Sequence, residues 1–184
     1  RAVVGQIRIC DDLGNELPVG ETGTIFFSGT KPVSYHNDPI KTASARNPLH
    51  PDWSTMGDVG RLDAEGYLYL SDRKDFMIIS GGVNIYPQAI EDCLIVHPKV
   101  LDVAVIGVAN PEYGEEVKAV VQPKHWADAG PALEAELREW CAARISAVTC
   151  PRSYDFVEEL PRIPSGKLAK HELRKVYGNP VATV

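Results

Sequence analysis

Near Lys74 the chain changes its hydrophobic rhythm, and no single simple layer accommodates both halves. Before that point short apolar runs alternate with turn residues: Val3-Val4-Gly5-Gln6-Ile7-Arg8-Ile9, Gly23-Thr24-Ile25-Phe26-Phe27 and Gly66-Tyr67-Leu68-Tyr69-Leu70. Asp11-Asp12-Leu13-Gly14-Asn15 and Asp63-Ala64-Glu65-Gly66 between them carry the Asp, Asn and Gly chemistry of tight turns. This half reads as a small β unit. The stretch from Lys31 to Trp53, with four prolines and mixed polarity, reads as its least structured connector.

After Lys74 helix and strand signals alternate. Phe76-Met77-Ile78-Ile79 is strand-like, Ser80-Gly81-Gly82 is a turn, and Pro87 is suited to the first position of a helix running from Gln88 to Val96. Val103-Ala104-Val105-Ile106 and Val117-Lys118-Ala119-Val120-Val121 are apolar runs of strand length, separated by the turn-rich Asn110-Pro111-Glu112-Tyr113-Gly114. Leu133, Leu137, Trp140, Cys141 and Ile145 recur at helical spacing. Tyr154-Asp155-Phe156-Val157 supplies a third strand, and a basic helix follows from Ala169 to Tyr177. The expected class is α+β: a β-rich unit, then a three-stranded sheet flanked by helices.

Composition removes several function classes. With 44% hydrophobic and 24% charged residues in 184, the chain has the make-up of a globular protein rather than a disordered one. A formal charge of −6 argues against a nucleic-acid partner, which needs a basic face. The four cysteines, Cys10, Cys93, Cys141 and Cys150, form no Cys-x-x-Cys pair and share no ligand spacing with the five histidines, so neither a metal site nor a disulfide framework is expected. No run approaches the roughly 18 apolar residues of a membrane span and no signal peptide is visible, which makes the cytosol the expected compartment. The chain starts at Arg1 and enters a strand-like run at once, so it is expected to be cut from something longer.

Three constellations could carry chemistry. In Trp53-Ser54-Thr55-Met56-Gly57-Asp58-Val59-Gly60, the carboxylate of Asp58 could accept hydrogen bonds from a ribose diol; a turn aspartate is the plainer reading of that segment alone. The run from Ser71 to Glu91 puts the charges Asp72-Arg73-Lys74-Asp75 where one unit gives way to the next, and follows them with Ser80-Gly81-Gly82, a backbone that a ligand could approach closely. Taken alone, the charges would be a solvated linker. Leu160-Pro161-Arg162-Ile163-Pro164-Ser165-Gly166-Lys167 leads into a basic helix; Leu168 after the lysine rules out a P-loop, which leaves an exposed basic helix start.

In this order the three segments resemble the motifs of the adenylate-forming (AMP-binding) superfamily of acyl-CoA and aryl-CoA ligases, luciferases and peptide-synthetase adenylation domains. The resemblance runs over nearly the whole chain. Gly57-Asp58 matches the family's ribose-binding pair, Arg73 to Glu91 its hinge motif, and Pro161 to Lys167 its C-terminal lysine motif. Asp72, Met56 and Ala89 stand where the family commonly has Gly, Thr and Glu.

The resemblance implies that residues 1–72 close the large N-terminal body, 73–76 form a hinge and 77–184 form the mobile lid. It implies an acid-thiol ligase, a fatty-acid or related acyl-CoA synthetase of lipid metabolism. Such an enzyme joins a carboxylate to AMP from ATP, releasing pyrophosphate, and then passes the acyl group to CoA. By the same resemblance Lys167 is catalytic, Asp58 and Arg73 bind the nucleotide, Asp75 is the hinge, and Ser80, Gly81 and Gly82 line the CoA channel. Mg2+ would bind in the part of the protein upstream of Arg1, with the phosphate loop and acyl pocket. Two other readings are an adenylation domain that loads a carrier protein and a non-catalytic interaction module of the same fold.

Overall fold

The computed structural model describes residues 5–178. It divides between Asp75 and Phe76 into two compact units. The first is a four-stranded antiparallel sheet in chain order: β1 (Gln6–Cys10), β2 (Gly23–Ser28), β3 (Asp58–Leu62) and β4 (Leu68–Arg73). One turn device occurs twice. The Asp11 carboxylate accepts the N–H groups of Leu13 and Asn15 at 2.9 and 2.8 Å, and that of Asp63 accepts those of Glu65 and Tyr67 at 3.1 and 2.8 Å. In each turn a glycine, Gly14 or Gly66, takes a positive φ.

The expected β unit is present, with corrections. Val3 and Val4 of the first expected strand lie outside the described residues. The run read at Gly66–Leu70 starts later, as β4. The strand β3 has no counterpart in the sequence reading, because Asp58-Val59-Gly60-Arg61-Leu62 carries a charge at its start and a glycine at its centre. That glycine is required: the register shifts between Val59 and Gly60, and a Cβ at Gly60 would collide with the Tyr69 carbonyl oxygen. The connector between β2 and β3 is more ordered than its composition suggested. It holds a helix, α1 (Pro39–Ser44), capped by Asp38. The buried amide of Asn47 donates to the Gly14 carbonyl and accepts from the N–H groups of Leu49 and His50.

The second unit is a five-stranded sheet with helices on its faces. Its elements are β5 (Ile78–Ser80), β6 (Val83–Ile85), α2 (Pro87–Ile95), β7 (Val100–Asn110), β8 (Gly114–Pro123), α3 (Pro131–Ala142), β9 (Ser153–Phe156) and α4 (Lys170–Tyr177). The order is β6-β5-β8-β7, with β9 parallel to β8 over Lys118 to Val121. The expected three strands are β7, β8 and β9. The short β5–β6 hairpin brings the count to five, joining through the single pair Ser80 and Gly114.

The sheet is buried on both faces. Val103 and Val105 face one core with Ile90, Leu94, Leu133 and Leu137, while Ala104, Ile106 and Val108 face a second core with Leu160 and Leu173. Two-sided burial is why β7 reads as a continuous apolar run instead of an alternating one. Proline opens α2 and α3, where the missing N–H leaves no helical bond unmade.

Candidate functional site

In the first unit the sheet register sets Asp58, at the start of β3, opposite Arg73, at the end of β4. Arg73 Nε lies 3.7 Å from Asp58 Oδ1, and Arg73 Nη2 donates to the Met56 carbonyl at 2.6 Å. Around them Gly57 N–H donates to Thr55 Oγ1 at 2.9 Å, and the Lys74 N–H donates to the Gly57 carbonyl at 2.7 Å. The turn is therefore tied on both sides. The guanidinium is held by a backbone carbonyl more than by the carboxylate, since an exposed pair at 3.7 Å is weak. Both side chains, 53% and 37% exposed, keep hydrogen-bonding capacity for an outside ligand.

Asp75 is the middle residue of a 3₁₀ turn, Lys74–Phe76, at the division between the units. In the second unit Gly81 and Gly82 form the β5–β6 turn, while Ser80, expected in that turn, closes β5 opposite Val83. Ser80 is buried, whereas Gly81 and Gly82 are exposed with φ of 56° and 80°. Gly81 N–H donates to the Tyr113 carbonyl at 2.9 Å, and the Ile79 N–H to a Glu115 carboxylate oxygen at 2.6 Å, so the turn rests on the β7–β8 connection. A Cβ at Gly82 would meet nothing within 4 Å, which leaves that stretch of backbone open to approach.

Lys167 lies on a closed loop of the same unit. Arg162 and Leu168 form an isolated antiparallel bridge, Ile163 N–H donates to the Lys167 carbonyl at 2.9 Å, and Ala169 N–H donates to the Pro161 carbonyl at 2.8 Å. Gly166 takes φ +83° at the tip and donates to the Ile163 carbonyl at 2.8 Å. Lys167 is exposed, and its ammonium makes no hydrogen bond or ion pair among the described residues. A fixed backbone thus presents an unpaired cation. Asp58 and Arg73 belong to one unit, Lys167 and the glycine turn to the other.

Two supporting arrangements escape a reading of the sequence. Arg162 donates to the Gly166 carbonyl at 2.6 Å and pairs with Asp102 on β7, which ties the Lys167 loop to the sheet. Glu91 on α2 pairs with Lys170 on α4 at 2.7 Å, with both residues buried. The sequence offered only their places, Arg162 between two prolines in the Pro161–Lys167 segment and Glu91 at the end of the Arg73–Glu91 segment, and not their partners.

Mg2+ favours several oxygen ligands in octahedral array. Among the described residues no three His, Cys, Asp or Glu side chains cluster to hold a metal, and Asp58 stands against a guanidinium. These residues do not build the Mg2+ site expected with ATP.

Comparison with known proteins bears on the family and the fold. Residues 89–167 match the AMP-binding enzyme C-terminal domain. A feruloyl-CoA synthase from Amycolatopsis is 39% identical over 173 residues, covering 94% of this chain and 34% of that protein. A long-chain-fatty-acid–CoA ligase from Mycobacterium tuberculosis is 38% identical over 162 residues, 88% of this chain and 31% of that one. ATP-bound MatB from Rhodopseudomonas palustris superposes with a TM-score of 0.82 at 32% identity, over 97% of this chain and 35% of that one. The chain thus spans about a third of the length of these relatives. Its second unit has the fold of their C-terminal lid domain, and the chain belongs to the adenylate-forming, AMP-binding enzyme family.

Proposed function

We propose that the chain is the C-terminal part of an ATP-dependent acyl-CoA synthetase, cytosolic and acting on a fatty or other apolar carboxylic acid. The observation that carries this reading is the ammonium of Lys167, exposed on its tied loop and without a partner among the described residues. Attack of a carboxylate on the α-phosphate moves negative charge onto the phosphate oxygens and the departing pyrophosphate. A cation fixed beforehand stabilises that charge without reorganising at the moment of reaction. Lys167 would bridge carboxylate and phosphate oxygens, and a compact ammonium on a flexible stem suits that contact.

Asp58 would accept hydrogen bonds from the two ribose hydroxyls, and Arg73 would add its fork of donors to ribose or phosphate oxygens, so that the pair positions ATP. Asp75 is proposed as the pivot between the body, residues 1–72, and the lid, residues 77–184. After adenylate forms, the lid would turn, taking Lys167 away and presenting Ser80, Gly81 and Gly82. Exposed glycines at positive φ support this assignment, because a chain without Cβ atoms can line a channel narrow enough for a pantetheine arm. The thiol of CoA then attacks the acyl carbonyl, forming the thioester and expelling AMP.

The test is to assay the full-length protein for acid-dependent exchange of pyrophosphate into ATP and for AMP release with free CoA. Exchange followed by CoA-dependent AMP release is expected. Exchange with no response to CoA would transfer the acceptor role to a carrier protein, and no exchange with any acid would leave an interaction module.

A further inference from the structure

Lys170 is a basic residue at the first position of α4, yet it is only 7% exposed, and its partner Glu91 is 8% exposed. The Glu91 carboxylate is shared: Oε1 accepts the Val105 N–H of β7 at 2.7 Å and lies 2.7 Å from Lys170 Nζ. The same ammonium lies 5.1 Å from the centre of the Phe76 ring, and the Arg174 guanidinium, one turn along α4, lies 5.9 Å from it. Both distances are within cation–π range. One buried charge therefore joins α2, the edge of β7, the start of α4 and the residue that follows Asp75.

Stability alone is a poor reason to keep this arrangement. A buried ion pair recovers its desolvation only in part, and an apolar pair of similar volume commonly serves as well or better. What an apolar pair lacks is direction. Lys170 comes three residues after Lys167, and the Ala169 N–H closes the loop onto the Pro161 carbonyl, so fixing Lys170 fixes the exit of that loop.

We propose that Lys170, held by Glu91 and seated on Phe76, is a positioning residue that sets the orientation of the Lys167 loop relative to the hinge. The proposal rests on the assignment of Lys167 to adenylation. It implies that loss of the Lys170 charge misplaces the Lys167 ammonium in the first half-reaction and leaves the second, which does not use Lys167, unaffected.

The test uses the full-length enzyme with Lys170→Met, which keeps the length of the stem and removes the charge. Misplacement of a reacting group lowers rate more than binding, so kcat for pyrophosphate exchange should fall roughly 10- to 100-fold with the KM for ATP within about twofold. Consumption of preformed acyl-adenylate by CoA should be unchanged, and Lys170→Arg should recover most of the exchange rate. Glu91→Gln keeps an acceptor for the Val105 N–H and should show the same split between half-reactions, which makes it the second variant if Lys170→Met does not fold. Equal slowing of both half-reactions, unchanged exchange in a folded variant, or loss of the folded lid in both variants would overturn the proposal. Lys167→Ala, assayed alongside, separates the two ideas. If it leaves exchange intact, the assignment of Lys167 falls; if it abolishes exchange while the folded Lys170 and Glu91 variants retain it, only the positioning role falls.

Discussion

Lys167 and His97 show what one side chain does when its backbone is fixed and its surroundings differ. Lys167 is exposed on a tied loop, and its ammonium has no hydrogen-bond or ion-pair partner among the described residues. If the proposed mechanism holds, Lys167→Ala in the full-length protein slows adenylation by about 10²- to 10³-fold, the scale for losing one preorganised electrostatic contact. Thioester formation from supplied acyl-adenylate should be nearly unaffected, and the two rates measured side by side check this. His97 is 2% exposed. Its Nδ1 accepts the Lys99 N–H at 3.3 Å and its Nε2 lies 3.3 Å from Glu136 Oε1, an arrangement that suits the neutral ring. Burial lowers its pKa; Lys99 and Arg144 act in the same direction, Glu136 opposes them, and the Trp140 ring meets it edge-on. A folded-state pKa below the unfolded value of about 6.5 means that the unfolded chain binds more protons as the pH falls. The stability contributed by neutral His97 is complete above about pH 6.5 and is lost as the pH drops through the depressed folded value. Denaturant unfolding of the chain at pH 7 and pH 5.5 should show that loss, and His97→Gln should flatten it.

At the scale of elements, the loop from Pro161 to Ala169 works because its strain and its ties are local. Gly166→Ala would put a Cβ into the left-handed region, at about 1–2 kcal/mol. The loop can release that strain by opening, without disturbing the cores below it. Faster amide exchange at Ile163 and Ala169 is therefore expected, with the thermal midpoint nearly unchanged. The core responds differently: Leu137 on α3 is fully buried, and Leu137→Ala should lower unfolding free energy by about 2–5 kcal/mol in a denaturant titration. The sequence carried most of the second sheet because β7 and β8 are buried on both faces and α2 and α3 begin at prolines, signals that neighbouring residues hold among themselves. It did not carry β3, whose residues make a strand only when Arg73 and Asp72 stand opposite Asp58 and Val59. Nor did it carry the tie between Arg162 and Asp102, which are 60 residues apart and meet through the fold. Lys167 was legible as a motif residue, whereas the closed backbone that presents it was not.

At the scale of the whole molecule, the proposed mechanism needs parts that these 184 residues do not contain. No Ser/Thr/Gly-rich phosphate loop occurs in them, and the relatives are about three times as long. The isolated chain should therefore release no pyrophosphate above background from ATP with a panel of acids. The demanding test concerns Asp75, at the division between the two units. A hinge works when one residue's dihedral angles change while its neighbours keep theirs, and proline fixes φ near −65°. It also biases the preceding residue, Lys74, toward extended conformations. Asp75→Pro in the full-length enzyme is expected to hold the lid in whichever orientation tolerates those angles. One half-reaction should then survive and the other slow severely, with the overall rate of thioester formation collapsing. Pyrophosphate exchange reports the first step, and consumption of preformed acyl-adenylate by CoA reports the second. If a folded Asp75→Pro enzyme ran both steps near the wild-type rate, the lid would not turn about this residue, and the pivot would have to be sought elsewhere between Arg73 and Phe76.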